Sequence, residues 1–228
     1  MYDIVFISYG EANCENNWLI LKDQFPMAKR VKDVKGIHQA HIAAAKKCFT
    51  KMFWVVDGDA ELSTGFEFDF KVSDHDLDCV HVWRSINPVN DLEYGYGGVK
   101  LLPRELTLHM DVTVPDMTTS ISNKFKAVDT ISNITVFDTD EYSTWKGAFR
   151  ECVKLASRTI QGQVDAESQS RLDTWCTKAK GPFAKYALHG AQCGKHFGES
   201  NKDDPENLKL INNFEWLKEQ FNEYSDSI

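Results

Sequence analysis

Short apolar runs alternate with amphipathic stretches through the first quarter of the chain. Ile4, Val5, Phe6 and Ile7 are continuous, so residues 3–9 read as a buried strand. A polar stretch, 10–17, then leads into a helix over 18–24. Residues 28–34 predict a short second strand, 38–49 an alanine-rich helix, and 52–56 a third buried strand. This βαβαβ order, with no hairpin between strands, predicts a parallel sheet with helices packed on it. In such sheets the ligand lies beyond the carboxyl ends of the strands, where Gly10 and Asp57 fall.

The middle of the chain predicts strands at 77–83, 126–129 and 134–138. Between them runs Tyr94-Gly95-Tyr96-Gly97-Gly98-Val99. Closely spaced glycines either let a backbone approach a ligand or mark a simple turn. The last third is helical. Asp140 caps a helix over 141–157 with Trp145, Phe149, Val153 and Ala156 on one face. Further helices are predicted at 166–178 and 182–193. Asp204-Pro205-Glu206 then starts one that carries Leu208, Ile211, Trp216, Leu217 and Phe221. The expected fold is α/β, a mostly parallel central sheet flanked by helices, with a helical C-terminal part. The expected organisation is one domain over 1–198 and a helical extension over 199–228 packed on it.

Composition narrows the class. At 228 residues and 42% hydrophobic content, the chain has enough apolar material for one large core. No apolar run approaches the ~20 residues needed to span a bilayer, so no membrane partner is expected. The start lacks a basic flank of the signal-peptide type, and the six cysteines are scattered without a Cys-x-x-Cys pair. Both features predict a soluble, cytoplasmic protein with reduced thiols. A net charge of −8 disfavours nonspecific adhesion to nucleic acid. Residues 22–51 nevertheless carry eight basic and two acidic side chains, a local excess that suits phosphate contacts or a solvated face.

The sharpest chemical signal is Phe53-Trp54-Val55-Val56-Asp57-Gly58-Asp59-Ala60. Alternate side chains of an extended segment share a side, so Asp57 and Asp59 can face one ion at the mouth of a strand. A carboxylate pair suits a hard divalent cation that also binds phosphates. The competing reading is an Asp-Gly hairpin turn.

These residues carry a resemblance. The leading strand, basic second strand, alanine-rich helix and Val-Val-Asp-Gly-Asp-Ala resemble the nucleotide-sugar half of a GT-A glycosyltransferase. Asp3-Ile4-Val5-Phe6-Ile7-Ser8-Tyr9, Lys35-Gly36-Ile37-His38-Gln39-Ala40-His41 and Trp54 shortly before Asp57 are similar to one branch of it. That branch is the TET/J-binding-protein-associated glycosyltransferases, which include base J glucosyltransferase and bacteriophage relatives. Tyr96-Gly97-Gly98-Val99-Lys100-Leu101-Leu102-Pro103 and Trp145-Lys146-Gly147-Ala148-Phe149-Arg150-Glu151 resemble it too, so the similarity spans most of residues 3–198.

The resemblance implies a GT-A, Rossmann-like fold and a UDP-sugar donor. It implies Mn²⁺ or Mg²⁺ held by Asp59, with Asp57 on the metal or on the donor's ribose, the site being completed by His189, with His196 as the second choice. It implies an acceptor such as 5-hydroxymethylcytosine in phage DNA, the closest relatives being those that add a pentose such as arabinose. A flipped base and local phosphate contacts reconcile the acidic charge with DNA. Tyr9, Gly10 and Glu11 then border the nucleoside. Arg30, Lys35 and His38 or His41 meet the diphosphate or sugar, at a helix start for the two histidines. Gly97 and Gly98 shape the sugar pocket, with Tyr96 or Trp83 as stacking platforms. Inverting transfer needs a base; Asp116 leads, with Asp138 and Asp111 as alternatives. Arg150 and Lys154 are either phosphate ligands or a solvated stripe. His189, Cys193 and His196 form one helix face, which is either a zinc site or ordinary packing. The competing functions are a GT-A transferase with a carbohydrate, lipid or protein acceptor, a nucleotidyltransferase, and a noncatalytic nucleotide-sugar-binding module.

Overall fold

The computed structural model describes residues 1–95, 97–114, 116–159 and 164–225. Two compact units emerge. The first comprises Met1–Asn87, Glu93–Thr113 and Met117–Val136; the second comprises Pro88–Leu92, Val114–Asp116 and Phe137–Ile228.

The first unit begins as the apolar pattern predicts, with β1 (Asp3–Ser8), α1 (Cys14–Gln24), β2 (Lys29–Lys32), α2 (Ile37–Lys46) and β3 (Met52–Asp57). Strand β1 lies between β2 and β3, parallel to both, with Val5 in register with Lys29 and Val55. Alternation assigns the two faces. Ile4, Phe6, Trp54 and Val56 pack with Cys14 and Leu21 of α1. Val5, Ile7, Phe53 and Val55 pack with Ala40, Ala44 and Ala45 of α2. The two crossover helices therefore leave to opposite faces.

Beyond β3 the sheet also takes in antiparallel strands. The remaining elements are β4 (Ala60–Leu62), β5 (Val80–Ile86), β6 (Glu93–Tyr94), β7 (Val99–Pro103), α3 (Arg104–Leu108), α4 (Met117–Ile121) and β8 (Phe125–Thr135). Sheet order is β2-β1-β3-β7-β5-β8-β4, with β6 paired to β5. Strand β7 runs antiparallel to both β3 and β5, so the sheet is mixed. The strands expected at 126–129 and 134–138 are one strand, β8, whose register shifts opposite Trp83, Arg84 and Ser85. Strand β4 starts just after β3 yet occupies the far end of the order; only a curled sheet brings those ends together.

Asp3 ties the start of β1 to the turn before β3. Its carboxylate accepts from the Phe49 amide (2.6 Å), the Thr50 amide (3.0 Å) and Lys29 Nζ (2.5 Å). Burial alone would raise its pKa, but these partners outweigh it and hold the carboxyl down at about 2. A depressed carboxyl stabilises the fold above its unfolded pKa and loses that effect as pH falls through the folded value. Asp3→Asn is expected to cost about 2 kcal/mol at pH 7, with the deficit closing by about pH 2. Urea titrations at both pH values measure this; a deficit independent of pH would refute the linkage.

The second unit is built from α5 (Glu141–Ser157), α6 (Asp165–Thr177), α7 (Ala184–Ser200), α8 (Pro205–Leu208) and α9 (Phe214–Ser225). Asp140 caps α5 as predicted, accepting from the Ser143 amide at 2.8 Å. The long helix expected from Pro205 is instead interrupted. A 3₁₀ turn over Lys209–Asn212 follows α8, and Asn213 then restarts the chain by accepting from the Glu215 and Trp216 amides at 3.1 and 3.3 Å. Leu208, Ile211, Leu217 and Phe221 pack on Trp145, Phe149, Val153 and Tyr186 of α5 and α7. Helix α7 runs through residue 198 without a break. Among the described residues, no helix is long and apolar enough to cross a membrane.

Candidate functional site

Asp57 ends β3, and the loop after β1 runs Tyr9-Gly10-Glu11. Gly58 and Asp59 form a turn after β3, as the turn reading expects, but β4 pairs with β8 and so closes no hairpin on β3. Gly58 has a different purpose. A Cβ there would stand 2.5 Å from Glu11 Oε2 and 3.1 Å from Ser8 Cβ, so glycine is what lets the two loops approach. Asn17 of α1 clamps the same point, its Nδ2 donating to the Gly58 carbonyl at 3.0 Å. Glu11 is held in turn by the Tyr9 amide at 2.7 Å. Glu11 thus lies against the Asp57-Gly58-Asp59 turn at the carboxyl ends of adjacent parallel strands.

Charge at this point is partly balanced from within. Lys100 of β7 is 3% exposed, and its Nζ donates to Asp57 Oδ1 (2.8 Å), to Asp57 Oδ2 (2.7 Å) and to the Gly97 carbonyl. Gly97 has φ +85°, a backbone conformation that favours glycine. Gly98 O receives the Asp57 amide at 2.9 Å. Asp59 is half-buried and holds β8 through its backbone carbonyl, which accepts from Val136 N at 2.8 Å. Desolvation, with smaller contributions from the Asp57 and Glu11 carboxylates, pushes its carboxyl up to about 7. His41 is 2% exposed; burial first, then the Lys100 ammonium, pushes its imidazole down to about 3. It is therefore neutral. Its Nδ1 donates to Ile37 O at 2.8 Å, and its Nε2 has no hydrogen-bond partner among the described residues.

The other expected residues divide. Tyr9 is exposed and Gly10 has φ +81° with open space around it, which suits a nucleoside edge. Arg30 is committed to a structural cluster: it makes two bonds to Glu15 (2.8 and 2.7 Å) and bonds Ser8 Oγ. Lys22 binds the Pro26 and Ala28 carbonyls, Lys29 binds Asp3, and Lys32 binds Glu15. Much of the local basic excess is therefore spent inside the fold. Lys35 is exposed and His38 buried at the start of α2. Trp83 is no stacking platform. It is 3% exposed, with its ring 4.5 Å from Trp54 and 5.2 Å from Phe70, inside an aromatic core. Tyr96 lies outside the described residues. Asp111 accepts from Thr113 in a local turn (2.9 Å to the amide).

Asp116, Asp138 and His189 belong to the second unit. Trp145 Nε1 donates to His189 Nδ1 at 3.2 Å, so the neutral ring carries its proton on Nε2 and has no lone pair left for a metal. His189, Cys193 and His196 line a cavity of about 400 Å³ with Phe149, Phe197 and Tyr224. Arg150 is structural, bonding Ile211 O (2.8 Å) and Asn212 Oδ1 (3.1 Å), and Lys154 pairs with Glu151.

Among the described residues, no three His, Cys, Asp or Glu side chains form a group able to hold a metal. The donor set at Asp57 and Asp59 is still all hard oxygen, and Asp57 already carries a cation, the Lys100 ammonium, on both oxygens. That chemistry fits Mn²⁺ or Mg²⁺ with ligands to be supplied by water and phosphate. Lys100 is the residue that sequence reasoning passed over; its signal was a charge inside the apolar run Val99-Lys100-Leu101-Leu102. No protein-family model matches the chain, and no significant match is found among curated proteins.

Proposed function

We propose that the chain is a GT-A-type glycosyltransferase that moves a pentose or hexose from a UDP-sugar to the hydroxymethyl group of a modified pyrimidine in DNA, 5-hydroxymethylcytosine foremost. One observation carries the donor half. Glu11 lies against the Asp57-Gly58-Asp59 turn beyond the carboxyl ends of β1 and β3, where α1 and α2 depart to opposite faces. That is the switch point at which open α/β sheets bind nucleotides. The acceptor half rests on the resemblance of the stretches quoted above.

In this reading Tyr9 and Gly10 border the nucleoside, and Gly97 and Gly98 border the sugar. The acceptor oxygen bonds to the anomeric carbon as the bond to the diphosphate breaks. The inverting course needs a carboxylate to take the hydroxyl proton. A Mn²⁺ or Mg²⁺ ion on Asp57 and Asp59 would neutralise the departing diphosphate.

Calorimetry with UDP and UDP-sugars, with and without Mn²⁺, tests the donor. Binding is expected with Mn²⁺, weakened at least about tenfold by Asp59→Ala. No nucleotide binding under either condition would sink the donor reading. Incubation with hydroxymethylcytosine DNA and UDP-pentose or UDP-glucose, read by nucleoside mass spectrometry, tests the acceptor. An expected mass gain of one sugar residue supports DNA; an unshifted nucleoside across the sugar panel points to another acceptor.

A further inference from the structure

Lys100 sits where an incoming divalent ion would need Asp57. All three of its ammonium protons are accounted for by Asp57 Oδ1, Asp57 Oδ2 and the Gly97 carbonyl. At 3% exposure it has little water to fall back on. It stands on β7 with Val55 of β3 on one side and Val82 of β5 on the other, so its backbone is fixed by the sheet. Only the flexible four-carbon stem can move the charge.

We propose that Lys100 determines which cation the site accepts: its ammonium closes Asp57 to a bare divalent ion and yields to one only together with a nucleotide diphosphate. The inference rests on the donor reading above and adds an order of binding to it. Without nucleotide, an ion at Asp57 and Asp59 would face a unit positive charge within a few ångströms, with nothing to take that charge up. With nucleotide, the diphosphate oxygens accept the displaced ammonium, and the Gly97 carbonyl keeps it in place. Metal and donor therefore enter as a complex, and until then Lys100 neutralises Asp57.

The charge predicts a direction that a purely structural role does not. Removing a positive charge near a dication site raises ion affinity, here by at least about tenfold even at a solvent-like dielectric. The experiment titrates Mn²⁺ alone into the full chain and follows the free-ion signal by electron paramagnetic resonance. The wild type is expected to bind Mn²⁺ weakly on its own and tightly once UDP is added. Lys100→Met is expected to bind Mn²⁺ alone at least tenfold more tightly than wild type, with a smaller gain from UDP. Lys100→Arg, which keeps the charge, is expected to stay near wild type. Lys100→Gln is the second neutral variant should the methionine variant not fold. Neutral variants that bind Mn²⁺ alone no more tightly than wild type overturn the proposal. So does a wild type that binds UDP yet binds Mn²⁺ equally well without it. Absence of UDP binding in every variant would instead remove the donor reading, while the comparison with Mn²⁺ alone would still judge Lys100.

Discussion

Gly194→Val is expected to lower the melting temperature by about 15 °C. Gly190, Gly194 and Gly198 fall at four-residue intervals along one face of α7. That face lies directly on the backbone of α5. A Cβ would come within 2.4 Å of Trp145 O at Gly190, 2.3 Å of Phe149 O at Gly194 and 2.6 Å of Val153 O at Gly198. These are rigid helical carbonyls, so the helices must separate to admit even a methyl group. Overpacking of this kind costs about 1–3 kcal/mol and more where backbone must shift. A helical glycine is itself about 1 kcal/mol worse than alanine, so Gly194→Ala recovers part of the loss while Gly194→Val recovers less. The separation also strips contacts from the stacked Trp145–Phe149 pair, whose rings lie 4.8 Å apart. Gln192→Ala, on the exposed side of the same helix, is the control and is expected to stay within about 0.5 kcal/mol of wild type. Thermal melts followed by circular dichroism decide it; a Gly194→Val melt coincident with wild type would rule out the glycine seam.

That seam was written in the sequence but not at the period that apolar patterning searches. Hydrophobic runs identify β1, β3 and the buried face of α5, because a buried strand and a capped amphipathic helix announce themselves locally. A stripe of missing side chains announces nothing about burial until its partner helix is known. The mixed sheet was hidden for a related reason. Strand β7 is five residues long, contains a lysine and ends in Pro103, so its composition reads as the tail of a glycine loop. Its place between β3 and β5 is a long-range pairing that no local propensity encodes.

The candidate site follows the same division. Asp57 and Asp59 are legible because a strand ending in alternating carboxylates has few structural uses. Glu11 was legible only as the neighbour of Gly10; its approach to Gly58 depends on the parallel register of β1 and β3. Arg30 and Trp83 looked equally suited to ligand contact by residue type. Their engagement with Glu15 and with Trp54 depends on partners distant in sequence, as does the ion pair between Lys100 and Asp57.

Asp59→Asn is expected to stabilise the protein at pH 8 by about 2–4 kcal/mol while changing little near pH 4. In the fold its carboxyl titrates at about 7, against 3.8 for an ordinary aspartate, chiefly because burial disfavours the charged form. Between those values the native state binds a proton that the unfolded chain has already released. Stability therefore falls as pH rises from about 4 to about 7 and then levels off. Asparagine keeps the shape without the titration, so its stability curve lacks this slope. The residue is only half-buried, which places the effect toward the lower end of the range. Urea denaturation of both proteins at pH 4, 6 and 8 measures the difference; parallel curves would exclude a burdened Asp59. A carboxylate that weakens its own fold at neutral pH has no structural justification where asparagine would serve. A cation bound at Asp59 would relieve the same penalty, so added Mn²⁺ is expected to flatten this pH slope if the proposed metal role holds.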